Sequence, residues 1–271
     1  MEAVDTELET STEGPASAGT EPRQANGAAL FPRSAGVKPG EMKASMMSNS
    51  FATTCADILR DFAIEIADTP GQMLECHRLR HQVYCVEREY LLGGEGVEVD
   101  AFDARSRHAL LRERFSGEVV GTVRLVLPDH DALESSFPVQ AVCRVPLPDH
   151  VTLHSTAEIS RVAISKDRRS EIETPPTLLR LALFRAVVML TAQHSITHWC
   201  AAMERTMLRL LKISGIHFLP HGGLVDHHGP RQPCFSEVAS LLSRMRLERP
   251  DAWSFITGDG LLLTPSMAAA A

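Results

Sequence analysis

"AEISRVAIS" (residues 157–165) places Ile159, Val162 and Ile164 among polar neighbours and reads as a strand. Glu158 and Arg161 stand three apart in it. On a regular strand that spacing sends them to opposite faces; a bulge between them would change this. The strand is followed by "SKDRRSEIETPPT" (165–177), then by an apolar run with helical spacing. Thr174-Pro175 reads as the start of that helix, with Thr as N-cap and Pro first, and it runs to about Gln193.

Upstream, "FAIEI" (62–66) alternates as a strand, and Pro70-Gly71 reads as its break. Met73, Cys76, Leu79, Val83 and Val86 recur at helical spacing, which predicts a helix over 72–86. The stretches 108–112 and 119–127 read as paired strands joined near Ser116-Gly117. Downstream the pattern gives a strand at 199–202, a helix at 205–214 stopped by Gly215, a strand at 216–220, and helices near 236–247 and 250–256. Strands run together in the middle and then alternate with helices. The fold class is α+β, a mixed sheet with helices on its faces, in a single domain over 51–271. Residues 1–50 are rich in Ala, Gly, Ser, Thr, Pro and Glu, which predicts a disordered low-complexity segment.

The formal net charge of −7 argues against a nucleic-acid binder. The six cysteines are scattered, with no CxxC pair, as expected of reduced thiols in a cytoplasm. The N-terminus lacks the basic and apolar regions of a secretory leader. Leu178 to Leu190, interrupted by Arg180 and Arg185, reads as too short and too charged for a stable membrane span. His217, His221, His227 and His228 lack the spacing of a metal motif, so no metal is expected.

"GVEVDAFDARSRH" (96–108) gathers Glu98, Asp100 and Asp103 beside an apolar, strand-like run. Arg80 lies on the first long helix, near Tyr84, and Arg124 sits in "GTVRLV". Such a set either ties elements together as ion pairs or binds and polarises a polar substrate; spacing alone does not separate the two.

Arg80-x-x-Val83-Tyr84, Glu98-x-Asp100-x-x-Asp103, Gly121-Thr122-Val123-Arg124-Leu125 and Glu158-Ile159-Ser160-Arg161, in that order, resemble the autoinducer synthase superfamily over residues 62–260. Within that superfamily the resemblance is closer to the exosortase (PEP-CTERM)-associated acyltransferases and N-acyl amino acid synthases, through "HGPRQPCF" (228–235) and "ERPDAWSFITGDG" (248–260), which extend the chain beyond a lactone synthase. Lactone synthases carry a Trp after the Arg-bearing helix; here the chain reads "CVEREYL", with Tyr90.

The resemblance implies the fold of the GCN5-related N-acetyltransferases. It implies transfer of a fatty acyl chain from acyl carrier protein to the amine of a small acceptor, an amino acid, with acyl-phosphopantetheine as donor and no bound cofactor. The alternatives are an acyl-homoserine-lactone synthase using S-adenosylmethionine and a non-catalytic acyl- or carrier-binding module.

On this reading Glu98, Asp100 and Glu158 are candidates to accept the ammonium proton. Arg80, Tyr84, Asp103, Arg124 and Arg161 bind substrate and hold the acids. Lys166, Arg168 and Arg169, in a loop without glycine, are candidates for the acidic carrier protein. Cys143 and Cys200 read as inert core thiols, and Leu178, Leu181, Leu183, Val187 and residues 203–211 offer apolar faces for an acyl slot.

Overall fold

The computed structural model describes residues 57–92, 94–170 and 172–268. These fall within one compact unit, and the segment 1–50 lies outside them. Eight strands form a mixed sheet: β1 (Phe62–Ile66), β2 (Ser106–Glu113), β3 (Val119–Val126), β4 (Thr156–Ile164), β5 (His198–Met203), β6 (Leu219–Pro220), β7 (Val225–Asp226) and β8 (Pro230–Glu237). The order is β1-β2-β3-β4-β5-β8-β6, with β7 beside β8. Neighbours are antiparallel except β4 and β5, which are parallel.

Helix α1 (Pro70–His81) starts at Pro70-Gly71, which the sequence reading took for a break. Thr69 and Gln72 form a capping box, and Pro70 is in the first turn, where its missing N–H costs nothing. The helix does not run evenly to Val86; residues Gln82–Glu87 widen into a π-helix. A short helix, α2 (Pro138–Ala141), was not foreseen.

Helix α3 (Pro176–Gln193) opens one residue later than expected, with Pro175 at the cap and no capping side chain. Its 18 residues are apolar and long enough, by composition, to cross a membrane. It is instead the central core helix: Leu178, Leu179, Leu181, Leu183, Phe184, Val187, Val188 and Leu190 are all buried. Gly121 on β3 lets it approach, because a Cβ there would stand 3.4 Å from Leu183 Cδ1. Helices α4 (Arg205–Ile213), α5 (Val238–Glu248), α6 (Pro250–Thr257) and α7 (Pro265–Ala268) complete the fold. Ser236 belongs to β8, not to the helix expected there, and the expected strand 216–220 is reduced to Leu219–Pro220.

Two features of β4 position the site. Thr122 faces Ala163 and Arg124 faces Ser160, so Arg161 and Val162 together oppose the single residue Val123. This is the bulge that the sequence left open, and Arg161 takes a left-handed φ of 51° within it. The parallel pairing of β4 with β5 runs only from Thr156–His198 to Glu158–Cys200. Beyond Glu158 the two strands part.

Candidate active site

Where β4 and β5 separate, a pocket of about 170 Å³ opens. Ile159, Ser160, Arg161 and Val162 line one wall, and Ala202, Met203 and Glu204 the other. Phe184, Met207 and Leu211 supply apolar lining. Of the apolar residues named from sequence, Leu178, Leu181, Leu183 and Val187 belong to the core, whereas Met203, Met207 and Leu211 reach the pocket. Phe184, on the same helix, was missed.

Glu158 and Arg161 both line this pocket, since the extra bulge residue resets the strand's alternation. Glu158 is buried at the vertex of the wedge, where the Val139 N–H of α2 donates to its Oε2 at 2.7 Å. Burial pushes its carboxyl up to about 8. Arg124 and Arg161 work against that rise without cancelling it.

The other acids lie in a different setting. The run 96–103 is no strand; it is a loop ending in a 3₁₀ turn at Asp103–Arg105. Its three carboxylates meet three guanidiniums. Arg80, fully buried, donates through Nε to Glu98 and through Nη1 and Nη2 to Asp103 at 2.6 and 3.0 Å. Arg124 donates to Asp100 and Asp103 at 2.6 and 2.9 Å, and to Ser160 at 3.0 Å. Arg161 donates to Glu98 at 2.9 Å and to Asp100 at 3.0 Å.

Burial opposes ionisation of Glu98, Asp100 and Asp103, but the guanidiniums outweigh it and hold all three below the usual carboxylate range. The structure therefore parts the expected proton acceptors. Glu98 and Asp100 are ionised members of a paired network outside the pocket lining, and only Glu158 faces the pocket with a raised affinity for a proton. Tyr84 lines the pocket, donates to the Val162 carbonyl at 3.1 Å and lies under the Arg161 guanidinium, 5.6 Å from its ring centroid.

His77, Asp103 and His108 come close enough to share a cation. Both oxygens of Asp103 already accept from Arg80, and Arg80 Nη1 stands 3.2 Å from His108 Nε2. A dication there would face buried guanidiniums, so these residues do not fit one. The five described cysteines are free, and Cys55 lies outside the described residues. Cys143 lines the pocket, but burial pushes its thiol up to about 11, so it is a poor nucleophile at neutral pH.

After β4, the Lys166 amide donates to the Glu87 carboxylate at 2.9 Å, the Asp167 amide reaches it at 3.5 Å, and the Ser165 hydroxyl also donates to it. The Lys166 side chain is exposed, Arg168 donates to the Val119 carbonyl, and Arg169 is half-buried. The sequence reading missed Glu87.

It also missed a second charged group at the pocket mouth. Glu204, just before α4, accepts through Oε1 from Arg231 of β8, from Tyr90 at 3.3 Å and from Arg88 at 3.4 Å. These residues are distant in sequence. The one local signal was Arg231 in "HGPRQ", just past the left-handed Gly229.

Residues 79–174 match the acetyltransferase (GNAT) domain family. The chain has the GNAT fold. Among solved structures, that of BjaI, a CoA-dependent acyl-homoserine lactone synthase, with SAM and isopentyl-CoA is similar at 20% identity, with a TM-score of 0.53 over 72% of this chain and 99% of that one. TofI, in a ternary complex with an inhibitor and MTA, matches at 20% identity and a TM-score of 0.53, over 70% of this chain and 99% of its own. The AHL synthase LasI matches at 18% identity and a TM-score of 0.51, over 64% and 88% respectively. No match is found among the curated proteins. At these identities the likeness establishes the GNAT fold, which agrees with the fold expected from sequence.

Proposed function

We propose that the protein is an N-acyltransferase that moves a fatty acyl chain from the phosphopantetheine of acyl carrier protein to the amine of an amino acid. The observation that carries this is Glu158, buried at the vertex of the β4–β5 wedge with its carboxyl raised to about 8, facing a pocket with apolar lining. A carboxylate of that basicity suits removal of a proton from an ammonium near neutral pH.

The acceptor's ammonium gives its proton to Glu158, directly or through water. The freed amine attacks the thioester carbonyl carbon; the C–N bond forms, the C–S bond breaks, and the thiolate leaves and takes up a proton. Where β4 and β5 part, their backbone groups lose their partners in each other. Amides there are suited to hold the pantetheine arm as an added strand and to stabilise the developing oxyanion.

The carrier-bound donor is supported by the turn after β4. It lacks glycine, and Glu87 already takes up the Lys166 amide. That carboxylate repels a pyrophosphate and leaves a single-phosphate arm as the better fit. Lys166, Arg168 and Arg169 are then the contacts offered to an acidic carrier. A cytoplasmic location, without membrane span or nucleic-acid partner, belongs to the same proposal.

A second reading, lactone synthesis with S-adenosylmethionine, draws on the activities of BjaI and LasI. The pocket mouth weighs against it, because Glu204 is the only carboxylate that meets Arg88 and Arg231 among the described residues, and the surplus positive charge would repel a sulfonium. Mass spectrometry of lipid extracts from bacteria expressing the full chain tests the choice. The proposal expects N-acyl amino acids that vanish in Glu158→Gln; acyl lactones in their place would overturn it.

A further inference from the structure

Three guanidiniums line the pocket, those of Arg88, Arg161 and Arg231. Arg161 is matched behind the pocket by Glu98 and Asp100. The other two converge on a single oxygen of Glu204. Arg88 and Arg231 therefore carry one positive charge more than the Glu204 carboxylate matches.

The two arginines differ in how they are held. Arg231 is fixed: its Nε donates to the His227 carbonyl at 3.0 Å and its Nη2 to the His228 carbonyl at 2.8 Å, closing the β7–β8 hairpin turn. Arg88 is loosely held, with contacts of 3.3 and 3.4 Å from one nitrogen, and its side chain is 39% exposed. Tyr90 ties them together. Both guanidiniums stand 5.5 Å from its ring centroid, and the His228 ring stacks against it at 6.4 Å. Guanidinium donors remain unused on both residues, and they border the cavity.

We propose that Arg88 and Arg231, with the Tyr90 hydroxyl, bind the carboxylate of the acceptor, so that the acceptor is an amino acid with a free carboxylate and not a neutral or cationic amine. The inference rests on the acyltransferase reading above and specifies its substrate. The clamp and the base share one pocket, since Glu158, Arg88, Tyr90 and Arg231 all line it. An amino acid fits this pairing, with its amine toward Glu158 and its carboxylate toward the arginines. Arg124 serves less well because it does not line the pocket, and Arg161 because two carboxylates, Glu98 and Asp100, already match its charge.

Titration calorimetry on the full chain tests this with matched probes. N-dodecanoylglycine and N-dodecanoylethanolamine share an acyl chain and differ in the carboxylate; 4′-phosphopantetheine and pantetheine differ in the phosphate. The wild type is expected to bind the acylglycine about 10- to 100-fold more tightly than its neutral counterpart, the range of a charge-assisted hydrogen bond. Arg88→Gln and Arg231→Gln should each collapse that gap and leave the neutral probe's affinity unchanged. Arg231→Gln also loosens the hairpin turn, so Arg88→Gln, which breaks no main-chain bond, is the decisive variant.

Equal affinity for the two lipids in the wild type, or a gap that survives both substitutions, would overturn the clamp and leave the acyltransferase reading standing. A gap confined to the phosphate pair, and lost in the variants, would assign the site to the donor and overturn the acceptor assignment. Binding of neither lipid by folded protein would sink both readings.

Discussion

Glu158 is the only pocket-lining acid among the described residues with a strongly raised carboxyl, and two measurements follow from it. Its folded carboxyl sits near 8, against an ordinary 4.5. The folded state thus holds a proton that the unfolded state has lost between those values, and stability falls as pH climbs through that window. The loss is on the order of 5 kcal/mol, at about 1.4 kcal/mol per unit. Glu158→Gln, which keeps the side chain's shape and cannot ionise, should flatten that slope in denaturant melts between pH 5 and pH 8. In the proposed reaction the wild-type rate should rise with pH toward a plateau above about 8. The same variant should lose about 10²- to 10⁴-fold in kcat, together with that rising limb. An unchanged profile would remove Glu158 from the proton path.

At the scale of elements, the sequence showed most where one periodicity ran unbroken. The strand over 62–66 and the helix over 250–256 are observed within a residue of where pattern put them. It failed where residues serve two grammars. Pro70-Gly71 reads as punctuation until Thr69 and Gln72 are recognised as a cap. Strand β8 was invisible because Pro230 and Pro233 remove two ladder donors and break the alternation, although β8 pairs with β5 over six residues. The helix end at α4 was legible through Gly215, whose φ is +82°. A Cβ there would meet Met245 Cγ and Arg249 Cβ at 3.1 Å. Gly215→Ala should therefore cost about 1–3 kcal/mol, through strained backbone and crowding against α5, readable as a lowered Tm.

On the scale of the whole molecule, the arginine–carboxylate network joins α1, the loop 96–103, β3 and the β4 bulge. Motif spacing marked all six of its charged residues. It did not reveal that the six neutralise one another and that only Arg161 among them lines the pocket, because which oxygen meets which guanidinium is decided only once the chain is folded. The Arg88–Tyr90–Glu204–Arg231 group left still less trace, since a group assembled from three separate stretches has no motif. Arg80→Met leaves Glu98 and Asp103 buried and short of a partner. It should lower stability by about 3–5 kcal/mol in chemical denaturation. Because Arg80 does not line the pocket, a variant that still folds should keep its affinity for small probes.

In the proposed reaction, the parting of β4 from β5 would also make the protein a gauge. The room for an acyl chain in such a cleft is limited by its apolar lining, and Met207 is a flexible, partly buried side chain in that lining. Trimming it with Met207→Ala should shift the acyl products toward longer chains, and filling the cleft with Met207→Trp should shift them toward shorter ones, both read from the mass spectrum of the lipid extract. One side chain, where two strands cease to touch, would then set how long a molecule the cell receives.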